Sequence, residues 1–282
     1  MQKAPHAEMQ LIAADNAAEK ENRLRRLMQE SRAVLVAYSG GVDSTYLAAI
    51  ATAELGKFAI SVFADSPSVS LYQKTLAENS AKLLGLNLLK IRTLEAEKPE
   101  YLRNAPDRCF HCKSELYSRI AVIAQEKGIV VIMDGTNADD LSDYRPGRVA
   151  AAEYRIRSPL AEIGFTKDEI RSRSRALDLP SAELPASPCL ASRIPYGLSV
   201  SAERLSRIEK AEEEIRNLGF KEFRVRHYDG YARVEIAKTE LCRAIDHRIN
   251  GEIKRRLMKH GFSSVRLALD GFRSGSLNSA IG

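Results

Sequence analysis

The heptapeptide Ser39-Gly40-Gly41-Val42-Asp43-Ser44-Thr45 gives the strongest indication of the fold of this chain. It follows an apolar run at 33–38 and opens an apolar-periodic segment at 46–50, so we expect it to join a strand to a helix. The two glycines let the backbone bend tightly towards an anion, and the start of the helix presents N–H groups to it. The hydroxyls of Ser39, Ser44 and Thr45 add donors. The heptapeptide therefore predicts a phosphate-binding loop, and an ordinary capped turn is the simpler alternative.

Strand and helix patterns alternate after this loop. Apolar runs predict strands at 58–64, 88–91 and 128–133, and helical periodicity appears at 71–84 and from Cys109 to Lys127. This alternation is typical of an α/β fold, a parallel sheet with helices on both faces. Ligands of such sheets bind at the carboxyl ends of the strands, so Gly135, just after the fourth strand, is expected beside the heptapeptide.

A proline-rich stretch at 180–197 separates two patterns. Before it, Thr166 and Glu169 form a capping-box signature for a helix that ends near Leu177. After it come a helix at about 202–218, a hairpin turning at Asp229-Gly230, a helix at 250–260 and a strand at 264–269. We expect an α/β domain at 1–197, whose residues 1–30 are an N-terminal helical segment, and a smaller α+β domain at 198–282.

Composition narrows the class of protein. The chain has 282 residues and a net charge of +6, with 6% aromatic residues and no Trp. No apolar run approaches the ~20 residues of a membrane span, and no signal peptide is evident, so we expect a cytoplasmic protein without a membrane partner. The basic charge indicates anionic partners, and charge alone does not separate nucleic acid from phosphorylated small molecules. Because aromatic residues are few and the arginines are spread along the chain, we expect no nucleic-acid partner.

The four cysteines indicate metal binding or a chemical role more than structural disulfides, because we expect the protein in a reducing compartment. Cys109 and Cys112 form a CxxC pair at a helix start, which can bind a metal, form a redox disulfide or stay reduced. Three thiolates suit an iron–sulfur cluster. Cys189 is the candidate third thiolate, with buried packing as its alternative, and Cys242 is expected in the core.

Five motifs together resemble the LarE family of the PP-loop ATP-pyrophosphatase superfamily. Besides SGGVDST they are DGTNADDLSDYRPG, SPCLASRIPYG, RVRHYDGYARVEI and DGFRSGSLN, at 134–147, 187–197, 224–236 and 270–278. LarE proteins are ATP-dependent pyridinium-3,5-biscarboxylic acid mononucleotide sulfurtransferases of nickel-pincer nucleotide cofactor synthesis. The resemblance implies that ATP adenylates a substrate carboxylate and that a sulfur nucleophile then displaces AMP. It also implies that the heptapeptide binds pyrophosphate and that Asp43 lies near the magnesium ion. It also suggests a homo-oligomer.

The resemblance assigns further residues. Cys189 aligns with the cysteine that sacrificial members consume, leaving dehydroalanine. A second branch, which this chain resembles more closely, carries Cys109 and Cys112 as well, and this implies that the three cysteines hold a [4Fe-4S] cluster that delivers an extra sulfide. The family pattern places Ser192, Arg193, Arg224, Arg226 and Glu235 near the mononucleotide. Arg145, in the polar loop after the fourth strand, is a further expected phosphate ligand.

Two other functions fit part of the pattern. A PP-loop tRNA thiolase also combines adenylation with CxxC-plus-Cys chemistry, but the chain shows no aromatic-basic patch of the usual RNA-binding kind. A non-catalytic nucleotide-binding protein is the other alternative, and the intact heptapeptide argues against it.

Overall fold

A computed structural model describes residues 5–142 and 146–272, with the backbone alone for residues 5–15. The chain forms two compact units. The first comprises residues up to Asp65 with Tyr72–Thr93 and Cys109–Ser187, and the second comprises Ser66–Leu71, Leu94–Arg108 and the residues from Pro188. The change of unit at Ser187 lies ten residues before Gly197, where we predicted the domain boundary. No helix of the described part is long and apolar enough to cross a membrane.

A four-stranded parallel sheet forms the centre of the first unit, in the order β3-β2-β1-β4. Helices surround it, as predicted for the α/β fold. The elements between residues 5 and 176 are α1 (Pro5–Ser31), β1 (Val34–Tyr38), α2 (Val42–Leu55), β2 (Ala59–Asp65), α3 (Leu71–Leu83), β3 (Asn87–Arg92), α4 (Pro99–Leu102), α5 (Arg108–Lys127), β4 (Val131–Met133), α6 (Pro146–Glu153), α7 (Pro159–Ile163) and α8 (Lys167–Ala176). Of these, α4 belongs to the second unit.

The sheet order explains where a ligand can bind. Every residue of β1 is buried, which an apolar run without alternation predicts for a central strand. The chain runs outwards from β1 through β2 to β3 and then returns to place β4 on the other side of β1. In open α/β sheets ligands bind at such a reversal of strand order, which here lies at the carboxyl ends of β1 and β4.

A small mixed sheet organises the second unit, with β5 and β6 antiparallel and β6 and β7 parallel. Its elements are α9 (Ala202–Asn217), β5 (Phe223–Tyr228), β6 (Tyr231–Ile236), α10 (Lys238–Ile245), α11 (His247–Met258) and β7 (Ser264–Leu267). One face of β5 and β6 packs its apolar residues against α9 and α11. The predicted hairpin, turning at Asp229-Gly230, is confirmed.

Two local expectations are wrong. The sequence predicts the fourth strand at 128–133, but β4 begins only at Val131. Gly128 follows the end of α5 and has a left-handed backbone with φ +65°, and Val130 is 93% exposed, so residues 128–130 connect the helix to the strand. Cys242 was expected in the core, yet it is exposed on α10. Ala244 is the fully buried residue of that helix, and this orientation turns Cys242 towards solvent.

Candidate active site

The backbone of the heptapeptide forms a tight turn that only glycine allows at Gly40. This residue has φ +77°, and a Cβ added there would lie 2.6 Å from the Cβ of Ala77 on α3. Gly41 is the N-cap of α2 and offers no side chain to the first N–H groups of the helix. Those N–H groups and the positive end of the helix dipole lie directly after β1, where the sequence predicts that an anion binds.

Ser44 holds the shape of this loop. Its Oγ accepts a hydrogen bond from the Ser39 backbone N–H at 3.1 Å and donates to the Gly41 carbonyl at 3.2 Å. The Ser39 and Ser44 hydroxyls lie 3.0 Å apart. Ser44 and Thr45 are buried, whereas Ser39 is exposed. Of the predicted hydroxyl donors, Ser39 is therefore the one that solvent or a ligand reaches most easily.

Gly135 lies against the start of α2, as the sheet-edge argument predicts. An added Cβ would lie 2.8 Å from the Ser44 backbone N and 3.1 Å from the Asp43 carbonyl carbon. Both contacts are with backbone atoms, so a side chain at 135 requires one of the two segments to move. The loops after β1 and β4 thus form one surface.

Asp134, which precedes Gly135, anchors the loop after β4. Its buried carboxylate accepts hydrogen bonds from the Tyr117 hydroxyl and the Ser158 hydroxyl, both at 2.8 Å. The same burial raises the pKa of Tyr117, which therefore keeps its proton and remains a donor. These two hydroxyls fix the direction in which the chain leaves β4.

Lys167 is a candidate site residue that the sequence argument missed. Its Nζ lies 2.5 Å from Asp43 Oδ2, although 124 residues separate the two. Lys167 is the first residue of α8, whose predicted capping box between Thr166 and Glu169 is confirmed. The capping box indicated where the helix starts, but nothing local indicated that this start lies against the heptapeptide at 39–45.

Asp43 offers a second carboxylate oxygen. Its Oδ1 is buried and has no hydrogen-bond partner among the described residues. A carboxylate oxygen without a partner, beside a predicted phosphate-binding loop, matches the ligand that Mg²⁺ takes together with phosphate oxygens. Asp43 therefore fits the predicted magnesium contact.

Cys189 lies in the part of the proline-rich stretch that belongs to the second unit. The half-buried Cys189 is the N-cap of a short 3-10 helix, Leu190–Arg193, and its carbonyl accepts from the Ser192 N–H at 2.9 Å and the Ser192 hydroxyl at 2.7 Å. Arg193 Nη1 donates to the same carbonyl at 3.1 Å and to Pro188 O at 2.6 Å. The backbone around the thiol is thus held from several sides.

Arg193 is buried and pairs with Glu212 of α9. Its Nε and Nη2 donate to the two Glu212 oxygens at 2.9 and 3.2 Å. Glu212 also accepts from the Val225 backbone N–H at 3.1 Å. This bidentate pair ties the Cys189 loop to α9 and β5. It indicates that Arg193 positions Cys189, and direct contact of Arg193 with a substrate stays a prediction.

Arg224, Arg226 and Glu235 lie on the face of the small sheet opposite to its apolar residues. Arg226 pairs with Glu235 at 3.0 Å and donates to the Ser192 carbonyl at 2.8 Å. The Arg224 guanidinium lies 4.8 Å from the centre of the Phe272 ring, and burial lowers its pKa to about 10. Four of the predicted substrate residues, Ser192, Arg193, Arg226 and Glu235, therefore share one network with the Cys189 loop.

The remaining predicted residues are placed as follows. Cys109 is exposed and Cys112 half-buried near the start of α5, and because they are three residues apart they share one helix face. These two residues belong to the first unit and Cys189 to the second. Residues 5–142 and 146–272 contain no group of three or more His, Cys, Asp or Glu that could hold a metal ion. Arg145 and residues 273–278 of the terminal motif lie outside the described residues.

Comparison with known proteins gives several relatives. The chain is 40% identical over 92% of its length to an uncharacterized protein of Synechocystis, covering 97% of that protein. It is 33% identical over 94% of its length to the pyridinium-3,5-bisthiocarboxylic acid mononucleotide synthase of Lactiplantibacillus plantarum, covering 95% of that synthase. A glutamine-hydrolyzing GMP synthase of Thermus thermophilus matches 74% of the chain at 29% identity, over 46% of its own length. No family model matches the chain.

Proposed function

Because the chain belongs to the LarE family, which includes the pyridinium-3,5-bisthiocarboxylic acid mononucleotide synthase of L. plantarum, we propose that it is an ATP-dependent sulfurtransferase. The proposed substrate is pyridinium-3,5-biscarboxylic acid mononucleotide, a small molecule, and the product serves nickel-pincer nucleotide cofactor synthesis. The single observation that carries the proposal is the 33% identity to that synthase over nearly the whole chain.

The first proposed step activates a carboxylate. A substrate carboxylate oxygen attacks the α-phosphorus of ATP, forms an acyl adenylate and releases pyrophosphate. Activation is needed because a bare carboxylate is a poor electrophile without a leaving group. The loop at 39–45 and Gly135 form the anion surface that would hold the pyrophosphate.

Asp43 and Lys167 have complementary roles in this step. Asp43 would hold Mg²⁺, since its buried Oδ1 lacks a partner among the described residues. When bound, Mg²⁺ offsets the negative charge that develops on the leaving pyrophosphate. When the nucleotide binds, the Lys167 ammonium would leave Asp43 and bind a phosphate oxygen. The ion pair with Asp43 thus keeps this ammonium beside the loop before the nucleotide arrives.

The second proposed step uses sulfur. A sulfur nucleophile attacks the activated carbonyl carbon, and a C–S bond forms as the C–O bond to AMP breaks. Cys189 either gives up its own sulfur and becomes dehydroalanine or assists sulfur delivery without being consumed. The support is its position on a loop held by Arg193 and Ser192. Arg224, Arg226 and Glu235, in the same unit, would orient the mononucleotide.

We also propose that Cys109, Cys112 and Cys189 hold a [4Fe-4S] cluster that supplies sulfur. The support is the donor chemistry, because such clusters take thiolate ligands and Cys109 and Cys112 share one helix face. The described residues show no group of three potential ligands. No reaction step is therefore assigned to the cluster. Iron and sulfide analysis after anaerobic purification tests it, and equal iron in the wild type and in Cys109→Ala would contradict it.

ATP–pyrophosphate exchange in the presence of the pyridinium mononucleotide tests activation, and mass spectrometry of the product tests sulfur insertion. We expect Cys189→Ser to retain exchange but form no thiocarboxylate, while Cys242→Ser, an exposed cysteine of the same unit, retains both. Exchange stimulated by tRNA and not by the mononucleotide would overturn the proposal. A loss of H₂S from Cys189 after turnover would show that this residue gives up its own sulfur.

Size-exclusion chromatography with light scattering tests the expected homo-oligomer.

A further inference from the structure

A cavity of about 420 Å³ opens in the second unit between the start of α9 and the β5–β6 turn. It is lined by Ser201, Arg204, Arg207, His227, Asp229 and Gly230, together with Glu203. Side chains alternate along β5, so His227 lies on the same face as Phe223 and Val225, which pack towards α9. Arg224 and Arg226 lie on the opposite face. The cavity is therefore separate from the residues assigned to the mononucleotide.

His227 has unsatisfied polar atoms in this cavity. It is only 2% exposed, and neither ring nitrogen has a hydrogen-bond partner among the described residues. Leaving a buried polar group unpaired costs on the order of 1–3 kcal/mol, so such groups usually bind a ligand or water. The Phe262 ring packs 5.4 Å from the imidazole and helps to keep it in place.

Two guanidinium groups share the cavity with His227. Burial, followed by the charges of Arg207 and Arg204, lowers the pKa of His227, which shows that the imidazole lies in the field of both arginines. Arg204 Nη1 donates to Ser199 O at 2.7 Å and to Ser199 Oγ at 2.6 Å. Arg207 lies 5.7 Å from the Phe262 ring centre. These contacts fix both side chains at the cavity.

The acidic side chains nearby do not fill the cavity. Arg204 pairs with Asp229 at 3.8 Å and Arg207 with Glu203 at 2.7 Å, but these carboxylates are 91% and 78% exposed. Pairs of this kind contribute only ~0–1 kcal/mol, so an anion can replace them while both carboxylates turn to water. A cation site is disfavoured, because two guanidiniums flank the imidazole and the described residues hold no group of three potential metal ligands.

We propose that this cavity binds the dianion of inorganic phosphate or of a phosphate monoester. The guanidiniums of Arg204 and Arg207 hold the phosphoryl oxygens, and the imidazole of His227 donates a hydrogen bond to one of them. The N-cap Ser201 and the first turn of α9, a helix of 16 residues, add a favourable helix-end field. The site does not depend on the proposed sulfur transfer.

Ring-nitrogen NMR of the full-length ¹⁵N-labelled protein tests the site, with His227→Gln assigning the signal. Inorganic phosphate and ribose 5-phosphate are titrated separately at constant ionic strength. The wild type should show a saturable shift of the His227 signal with at least one of them. Saturation by phosphate alone identifies free phosphate as the ligand, and tighter saturation by the ester identifies a monoester.

Matched variants separate this site from the phosphate-binding loop of the first unit. Arg204→Gln and Arg207→Gln should raise the midpoint of the titration about tenfold, equivalent to ~1.4 kcal/mol. Lys210→Gln removes the same charge from an exposed position of α9 and should leave the midpoint unchanged. Thermal unfolding checks that the variants fold, and Arg207→Lys provides a milder change. Absence of a saturable His227 shift, or one midpoint for all variants, would overturn the proposal.

Discussion

Replacing Gly135 by alanine tests whether the loops after β1 and β4 form one site. The new Cβ would lie 2.8 Å from Ser44 N and 3.0 Å from Ser44 Cα, where ordinary contacts begin at 3.4 Å. The neighbouring atoms belong to the backbone at the start of α2, so rotation of a side chain cannot relieve the clash. One of the loops must move by roughly half an ångström, which for overpacking costs about 1–3 kcal/mol.

This cost has two expected readouts. Since 1 kcal/mol corresponds to roughly 2–4 °C in proteins of 150–250 residues, the melting temperature of Gly135→Ala should fall by roughly 2–12 °C. ATP–pyrophosphate exchange should fall by up to about 100-fold, the loss that a displacement of about 1 Å at a reacting centre can cause. Thermal unfolding and exchange assays measure the two effects independently.

Gly251→Ala is the matched control. Gly251 lies within α11, has no positive φ, and a Cβ added there meets no atom within 4 Å. Alanine should therefore stabilise the helix by about 0.5–1 kcal/mol without affecting exchange. If the melting temperature and the exchange rate of Gly135→Ala equal those of the wild type, the close approach of Gly135 to Ser44 and Asp43 is not a feature of the protein.

Three further predictions concern other contacts. Lys167→Met should lower the free energy of unfolding by at most about 1 kcal/mol, because the pair with Asp43 is partly exposed. The same variant should raise the KM for ATP about tenfold in exchange assays. An unchanged KM would exclude the proposed phosphate contact. Arg193→Met should lower the free energy of unfolding, measured in urea, by about 3–5 kcal/mol, because the Glu212 carboxylate then stays buried without the Arg193 guanidinium. The double variant that also carries Glu212→Gln should recover part of this loss. Burial lowers the pKa of His227 below 6.5, so at low pH the unfolded state binds this proton more readily than the folded state. The wild type should therefore lose stability relative to His227→Gln as the pH falls through and below 6.5. Parallel pH profiles of the free energy of unfolding would refute this.

Local patterns predicted much of the fold. The apolar run of β1 and the glycines after it indicated a strand, a loop and a helix, and all three are present. The capping box at Thr166 and Glu169 marked the start of α8 to the residue. The prediction for Cys242 was wrong, because a helix with mixed apolar residues can present either of two faces, and the packing of Ala244 selects one.

Seven consecutive residues at a strand-to-helix junction predict a phosphate-binding loop, and the strand and helix that this prediction requires are both present. The tertiary structure is needed to show which distant charges lie at each candidate site. It placed Lys167 at Asp43 across 124 residues, paired Arg193 with Glu212, and left His227 buried beside two arginines without a partner among the described residues. The reason is physical: hydrogen-bonded turns and helix ends depend on neighbouring residues, whereas ion pairing and burial depend on how the elements pack.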